Sequence, residues 1–220
     1  MKETKPKVEK NQTGWFVDGE LVLNLAAVTS ATRSLGPGKR AAIWVQGCQK
    51  RCPGCLAQEW LEIVPAHLHR IPALSEILLS DPEIEGLTLS GGEPMLQAAA
   101  LAKLVSSMRT RRDLNVICYS GYLLVELRNN PPSPGVADLL EAVDVLIDGA
   151  YVDELNDDIG LRGSSNQQVH HLTSRLAGFD FTTAPRSVEI KISDGEVFLI
   201  GVPTRAVNHS FEESLRNIKK

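Results

Sequence analysis

The sequence predicts an α/β fold: a partial (β/α) barrel of mainly parallel strands carrying a C-terminal β-hairpin appendage. Three observations lead there. Short apolar runs alternate with segments of helical period between residues 41 and 147, the pattern of parallel strands joined by crossover helices. Each run ends in small or polar residues, as strands do where they reach a ligand-binding mouth. Near the end, Asp194-Gly195 separates two alternating runs, 187–193 and 196–201, which is a strong signal for a hairpin turn.

The elements follow in order. Residues 1–20 read as a polar N-terminal tail, 21–175 as the core, and 176–220 as a C-terminal hairpin and tail. Residues 21–28 are apolar enough for a strand, and Gly36-Pro37-Gly38 then turns the chain. Residues 41–46 form a second short strand that delivers its end into a cysteine-rich loop. Residues 58–64 suit one or two helical turns before Pro65, and residues 71–79 a helix. A short buried strand at 86–90 stops at Gly91-Gly92. Leu96, Ala100, Leu101, Leu104, Val105 and Met108 share one helical face. Arg109, Arg111 and Arg112 close that helix, where positive charge suits the dipole. Residues 114–118 read as a strand, 122–127 as helical, and 129–135 as a proline-rich loop. A helix at 136–143 and a buried strand at 145–147 then meet Asp148-Gly149.

Bulk properties narrow the function. With 220 residues, 43% hydrophobic, the chain can bury one substantial core. A formal charge of −4 suggests neither a nucleic-acid nor a membrane surface. The charged first 11 residues lack the apolar core of a signal peptide or span. The four cysteines show no paired disulfide spacing. A cytoplasmic location is expected.

Three of those cysteines carry the chemistry, in the spacing Cys48-x3-Cys52-x2-Cys55. Three thiolates on one loop can hold three corners of a [4Fe–4S] cubane and leave the fourth iron open to a ligand. The alternative is a structural zinc ion. Zinc favours four protein ligands in two separated pairs, and no second pair follows; a strand through His170 and His171 would send them to opposite faces. Cys118, in an apolar run, reads as a buried small hydrophobe. The loop shares the expected mouth with three further strand ends, Ser90-Gly91-Gly92-Glu93-Pro94, Ser120-Gly121 and Asp148-Gly149. Small residues there let backbone groups approach a ligand. Glu93 could alternatively cap the following helix, and Asp148 a turn.

Together, Cys48-x3-Cys52-x2-Cys55 and Gly91-Gly92-Glu93-Pro94 resemble the radical S-adenosylmethionine superfamily. Within it, Gly36-Pro-Gly-Lys-Arg40, Val45-Gln-Gly-Cys48, Tyr119-Ser-Gly-Tyr122 and Gly163-Ser-Ser-Asn-Gln167 resemble the glycyl-radical activating enzymes. The resemblance spans about residues 36–167. It implies an enzyme whose Cys48, Cys52 and Cys55 bind a [4Fe–4S] cluster, whose open iron chelates S-adenosylmethionine, and which cleaves it reductively to a 5′-deoxyadenosyl radical. The implied cofactor contacts are Gly91, Gly92, Glu93 and Pro94 for methionine and the backbone of Gly54 and Leu56 for adenine. Ser120 and Asp148 would contact ribose or methionine, and Arg40 matches a family position near the site. On this reading a bulky residue at Gly92 would block the cofactor and spare the cluster. The implied partners are a glycyl-radical enzyme, such as anaerobic ribonucleotide reductase, and an electron donor such as flavodoxin or ferredoxin. Two other readings stay open: a divergent radical enzyme acting on another protein, peptide or metabolite, and a non-catalytic iron–sulfur protein for electron transfer or structure. The hairpin would dock the partner, act as a lid, or cover the sheet's apolar edge.

Overall fold

The structure, a computed structural model, describes residues 6–193 and 196–218. Its centre is a nine-stranded sheet. Four strands run parallel side by side: β4 (Arg40–Val45), β6 (Gly86–Gly91), β7 (Asn115–Ser120) and β8 (Val145–Asp148). Among the described residues parallel pairing joins these four, the strands read between residues 41 and 147, and the other strands of the sheet pair antiparallel where mainly parallel strands were expected. On one side β3 (Glu20–Thr32) joins β4 antiparallel, followed by β2 (Trp15–Val17) and β1 (Val8–Lys10), while β5 (His67–Arg70) also pairs with β3. On the other side β9 (Gln168–His171) closes the order antiparallel to β8. Val8–Lys10 and Trp15–Val17, expected as part of a polar tail, are therefore sheet strands, anchored by the buried Trp15.

Alternation along each central strand assigns its two faces. Ala41, Ile43 and Val45 of β4, Leu87 and Leu89 of β6, Val116 and Cys118 of β7 and Leu146 of β8 face one way. There they pack against α1 (Ile71–Leu78), α2 (Ala98–Arg109) and α4 (Val136–Ala142) through Leu74, Leu101, Leu104 and Leu139. Cys118 is fully buried in this core, as its apolar run predicted. The opposite face carries two smaller clusters. Ile117, Val145 and Ile147 meet Leu161, Leu176 and Phe181. Ala42 and Trp44 meet Ile200 of a two-stranded antiparallel sheet, β10 (Val188–Ser193) and β11 (Glu196–Gly201), and Val202 just after it. This is the predicted hairpin; its Asp194-Gly195 turn lies outside the described residues. The hairpin thus covers a sheet face rather than a sheet edge, with Phe198 edge-on to Trp44 at 4.9 Å. The chain then enters α5 (Arg205–Ile218), where the sequence suggested only a tail.

Arg40 also departs from expectation. A parallel strand begins at the end of the sheet remote from the mouth, and Arg40 is the first residue of β4. Its buried guanidinium donates to Thr88 Oγ1 (2.8 Å), Asn115 Oδ1 (2.5 Å), Leu87 O (2.9 Å) and Pro37 O (3.1 Å). It joins three strands and the 36–38 turn, far from the cysteines. Among the described residues, no helix is long and apolar enough to cross a membrane.

Candidate iron–sulfur active site

The cysteine loop hangs from the C-terminal end of β4 and is closed at its base by backbone pairing. Gly47 N–H donates to Trp60 O (2.8 Å) and Cys48 N–H to Leu61 O (2.9 Å). A single 3-10 turn, Gln58–Trp60, precedes that closure, where one or two helical turns were expected. Behind the loop, Gln97 holds it to the sheet: its Nε2 donates to Asn24 O (2.8 Å) and Gln46 O (3.2 Å), and its Oε1 accepts from Asn24 N–H.

Gly91 and Gly92 bring the next strand end against this loop. A Cβ on Gly91, whose φ is +112°, would lie 2.3 Å from Val45 N; one on Gly92 would lie 2.3 Å from Gly47 O. Backbone of β4 and of the loop base occupies the space any side chain would take. The pair is joined by Gly92 N–H to Val45 O (2.7 Å) and Glu93 N–H to Gly47 O (2.8 Å). The demand for glycine therefore arises first from docking two strand ends, a different reason from the one read in the sequence.

Glu93 makes the cap considered for it and a second contact that the sequence did not suggest. Its Oε1 accepts from Met95 N–H (2.9 Å), capping the 3-10 turn Pro94–Gln97, for which Pro94 is the first residue. The same carboxylate reaches the neighbouring strand end, accepting from Ser120 Oγ (3.0 Å) and Gly121 N–H (2.8 Å). Burial raises its pKa to about 7 despite these donors and the nearby Lys50. Lys50 Nζ lies 4.0 Å from the centre of the Tyr122 ring and 3.5 Å from Glu126 Oε2.

These strand ends open into a cavity of about 470 Å³, within the range of small-molecule and cofactor sites. Cys48, Cys52 and Cys55 line it, as do Gly91, Gly92, Glu93 and Pro94, together with Leu56 and the buried Ser120. Gly54 is not in the lining; it sits in the cysteine loop against Asp153, whose Cβ would be 2.9 Å from any Cβ placed there. Asp148 stays outside as well. Alternation puts it on the helix-covered face with Leu146, and its Oδ2 accepts from Leu124 N–H at the start of α3 (Leu124–Asn129) and lies 2.9 Å from His170 Nε2. The next residue, Gly149, lines the cavity instead.

Several lining residues had no assigned role in the sequence reading. Tyr119 faces the cavity side of β7, its hydroxyl bonded to Leu161 O. Gln167 accepts from Gly163 N–H (2.7 Å) and Ser164 N–H (3.2 Å) through Oε1 and donates to Gly149 O (2.7 Å) through Nε2. One amide thus shapes the loop from 149 to 167, and the polar run 163–167 was its only trace in the sequence. Phe198 of β11 and Phe211 and Leu215 of α5 complete the apolar wall.

The donor set fits a cubane. Cys48 Sγ accepts backbone N–H groups of Lys50 and Arg51, and Cys55 Sγ that of Ala57 (3.5 Å), the surroundings a metal-bound thiolate uses. Burial raises both thiols in the free protein. Among the described residues no three His, Cys, Asp or Glu side chains converge on one ion-sized point; a cubane asks for one thiolate at each of three separate irons. No histidine and no fourth cysteine lines the cavity among those residues, which leaves one iron corner for an exogenous ligand.

Such a cavity defines an iron–sulfur protein that binds a second small molecule beside its cluster. The family model described as "4Fe-4S single cluster domain" matches residues 34–170. The chain is 35% identical to the anaerobic ribonucleoside-triphosphate reductase-activating protein of Vibrio cholerae over 146 residues, 63% of this chain and 91% of that one. It is 36% identical to the protein of that name from Escherichia coli K12, over 62% of this chain and 91% of the other. The bacteriophage T4 counterpart is 30% identical over 61% and 85%. The chain belongs to the 4Fe–4S single cluster domain family, within the group formed by these activating proteins.

Proposed function

We propose that this protein is a radical S-adenosylmethionine enzyme that activates a glycyl-radical partner, anaerobic ribonucleoside-triphosphate reductase. The observation that carries the reading is that the three cysteines and the Gly91–Pro94 strand end line one cofactor-sized cavity in a chain of this family. Cys48, Cys52 and Cys55 would each hold one iron of a [4Fe–4S] cluster. When bound, the reduced cluster and S-adenosylmethionine supply methionine and a 5′-deoxyadenosyl radical, the species that takes a hydrogen atom.

The chain's own residues bind, orient and shield. The rim formed by Gly91, Gly92 and Glu93 offers backbone carbonyls and a carboxylate to the methionine ammonium. Leu56 and the backbone after Gly54 offer an apolar edge to adenine, and Ser120 holds Glu93 in place. Trp44, Phe198 and Phe211 exclude water from the side facing the extension. Asp148 acts through position, fixing α3 beside the mouth. The electron would come from a flavodoxin- or ferredoxin-type donor, and the cytoplasm is the compartment that suits the exposed cluster. A sheet curled as a partial barrel would leave a side entrance for a protein loop.

Anaerobic reconstitution tests the proposal. About four irons per chain should bind; Cys48→Ala, Cys52→Ala or Cys55→Ala should lose the cluster, and Cys118→Ala should keep it. The reduced protein should form 5′-deoxyadenosine and, with the reductase, a glycyl-radical signal in electron paramagnetic resonance. Stoichiometric zinc without iron would overturn the cluster assignment. Cofactor cleavage without a radical on the reductase would overturn the partner.

A further inference from the structure

The C-terminal extension adds a wall to the cavity that the family portion of the chain does not contain. The family match ends at residue 170. Beyond it, α5 sends Asn208, Phe211 and Leu215, spaced three and four residues apart on one face, toward the cavity. These three are the partly buried positions of its last three turns, while the intervening residues are exposed.

The attachment of α5 is one-sided. Its first residue is pinned to the loop that follows β8: Arg205 N–H donates to Asp158 Oδ1 (2.8 Å), and the Arg205 guanidinium donates to Asp153 O. Thr204 caps the helix, accepting from Val207 N–H. Past that point, side-chain hydrogen bonds among the described residues stay within the helix: Asn208 to Glu212, Ser214 to Ser210, Arg216 to Glu212 O. A 14-residue helix is marginal in water without a packed face. Among the described residues α5 is thus bonded to the rest of the chain at Thr204-Arg205, with Phe211 and Leu215 turned toward the cavity further along.

We propose that α5 is a tethered lid that occupies the place of the partner's glycine-bearing loop and must be displaced for that loop to reach the cluster. This rests on the function proposed above, because an enzyme that acts on a backbone glycine must admit a polypeptide to the cavity that α5 now roofs. Seating of the helix and entry of the partner exclude one another. The closed lid covers the cavity side of the cysteine loop, whose outer residues Arg51, Pro53 and Gly54 stay exposed, and the partner's affinity is reduced by the fraction of molecules that are closed.

Two measurements on the full-length protein test it, the first needing neither cofactor nor partner. Cluster-free wild type and the double variant Phe211→Asp/Leu215→Asp are pulsed with a bulky maleimide, and labelling of Cys48, the buried cysteine of the loop that lines the cavity, is followed by mass spectrometry. With an open state populated at a few per cent, freeing the lid should speed labelling on the order of 10-fold or more. Cys118, fully buried in the helix-side core, reports intact folding by staying unlabelled; if the double variant labels there, the milder Leu215→Ser replaces it. The second measurement is affinity for the reductase, which should rise by a similar factor in the variant. Unchanged labelling overturns the lid. Faster labelling with unchanged affinity shows a roof that does not compete with the partner and overturns the proposal too. If neither protein binds the reductase, the proposed partner is wrong, whereas the labelling result still decides whether the lid exists.

Discussion

Replacing Gly92 by alanine adds one methyl group at the point where two strand ends touch. Its Cβ would sit 2.3 Å from Gly47 O and 2.7 Å from Gly47 C. A Cβ essentially never lies within 3.0 Å of such an atom, so the backbone at Gly47 or Gly92 must move by at least roughly 0.7 Å, the difference between the two distances. Overpacking of that kind costs about 1–3 kcal/mol. The movement also stretches the Glu93 N–H to Gly47 O bond of 2.8 Å, worth roughly another 1 kcal/mol. Gly47 immediately precedes Cys48, so the displacement passes directly to the first cluster thiolate. Gly92→Ala should therefore lower stability by about 2–4 kcal/mol and reduce iron retention, rather than block the second cofactor at an intact cluster. Urea denaturation of the cluster-free protein and iron content after anaerobic reconstitution measure the two effects. A variant with wild-type stability and full iron that fails only to bind S-adenosylmethionine would refute this reasoning and restore the simpler reading of the Gly-Gly run.

Three further outcomes are expected. Glu93, raised by burial from 4.5 to about 7, binds a proton more tightly folded than unfolded, so stability should be greatest below pH 4.5 as far as this group is concerned and fall as pH rises to about 7. The ceiling on that loss is about 3 kcal/mol, from 1.36 kcal/mol per pH unit, and Glu93→Gln should flatten the slope in denaturation midpoints measured between pH 5 and 8. Arg40→Leu should cost roughly 3 kcal/mol, by leaving Thr88, Asn115 and two carbonyls without their buried donor; iron bound per folded molecule should not change, and a selective loss of iron would return Arg40 to the site. Phe198→Ala should loosen the hairpin by about 2–3 kcal/mol, because its ring packs on both Trp44 and Trp60. Tryptophan fluorescence during denaturation should show an earlier transition; an unchanged curve would mean the hairpin is not held by this contact.

The central strands were legible because they are buried on both faces: β4 reads Arg-Ala-Ala-Ile-Trp-Val with every residue buried. The strands that escaped notice are short and half-exposed. His67-Leu-His-Arg70 and Gln168-Val-His-His171 carry no apolar run of their own and exist because β3 and β8 offer them an edge. α5 was hidden by its composition, with only Phe211 and Leu215 marking its inner face among charged neighbours. Within the site, the cysteine spacing and the Gly91–Pro94 run were visible since ligand chemistry fixes residue type and spacing together. Arg40 lies at the far end of the sheet for a reason that strand direction contains, since it begins a parallel strand, and Asp148 falls outside the cavity lining while its register partner Ser120 is within it. Gln167 and Gly92 depend on contacts between distant loops, which no local pattern encodes.

Arg186 ties the two halves of the mouth to one side chain. Its guanidinium, almost wholly withdrawn from solvent, donates to Gly160 O (3.0 Å), Arg162 O (2.7 Å) and Asn156 Oδ1 (2.9 Å) in the loop after β8, and to Pro203 O (3.1 Å) just ahead of α5. The wall near Gly163 and Gln167 and the origin of the C-terminal helix therefore share a pivot, which the bonds of Arg205 to Asp158 and Asp153 reinforce. A change in one is felt by the other without passing through the sheet or the cysteine loop. The molecule has in effect a fixed jaw, made of strand ends locked backbone to backbone, and an adjustable jaw hung on two arginines. Divergence in what the mouth accepts can accumulate on the second while the metal-binding geometry of the first stays as it is.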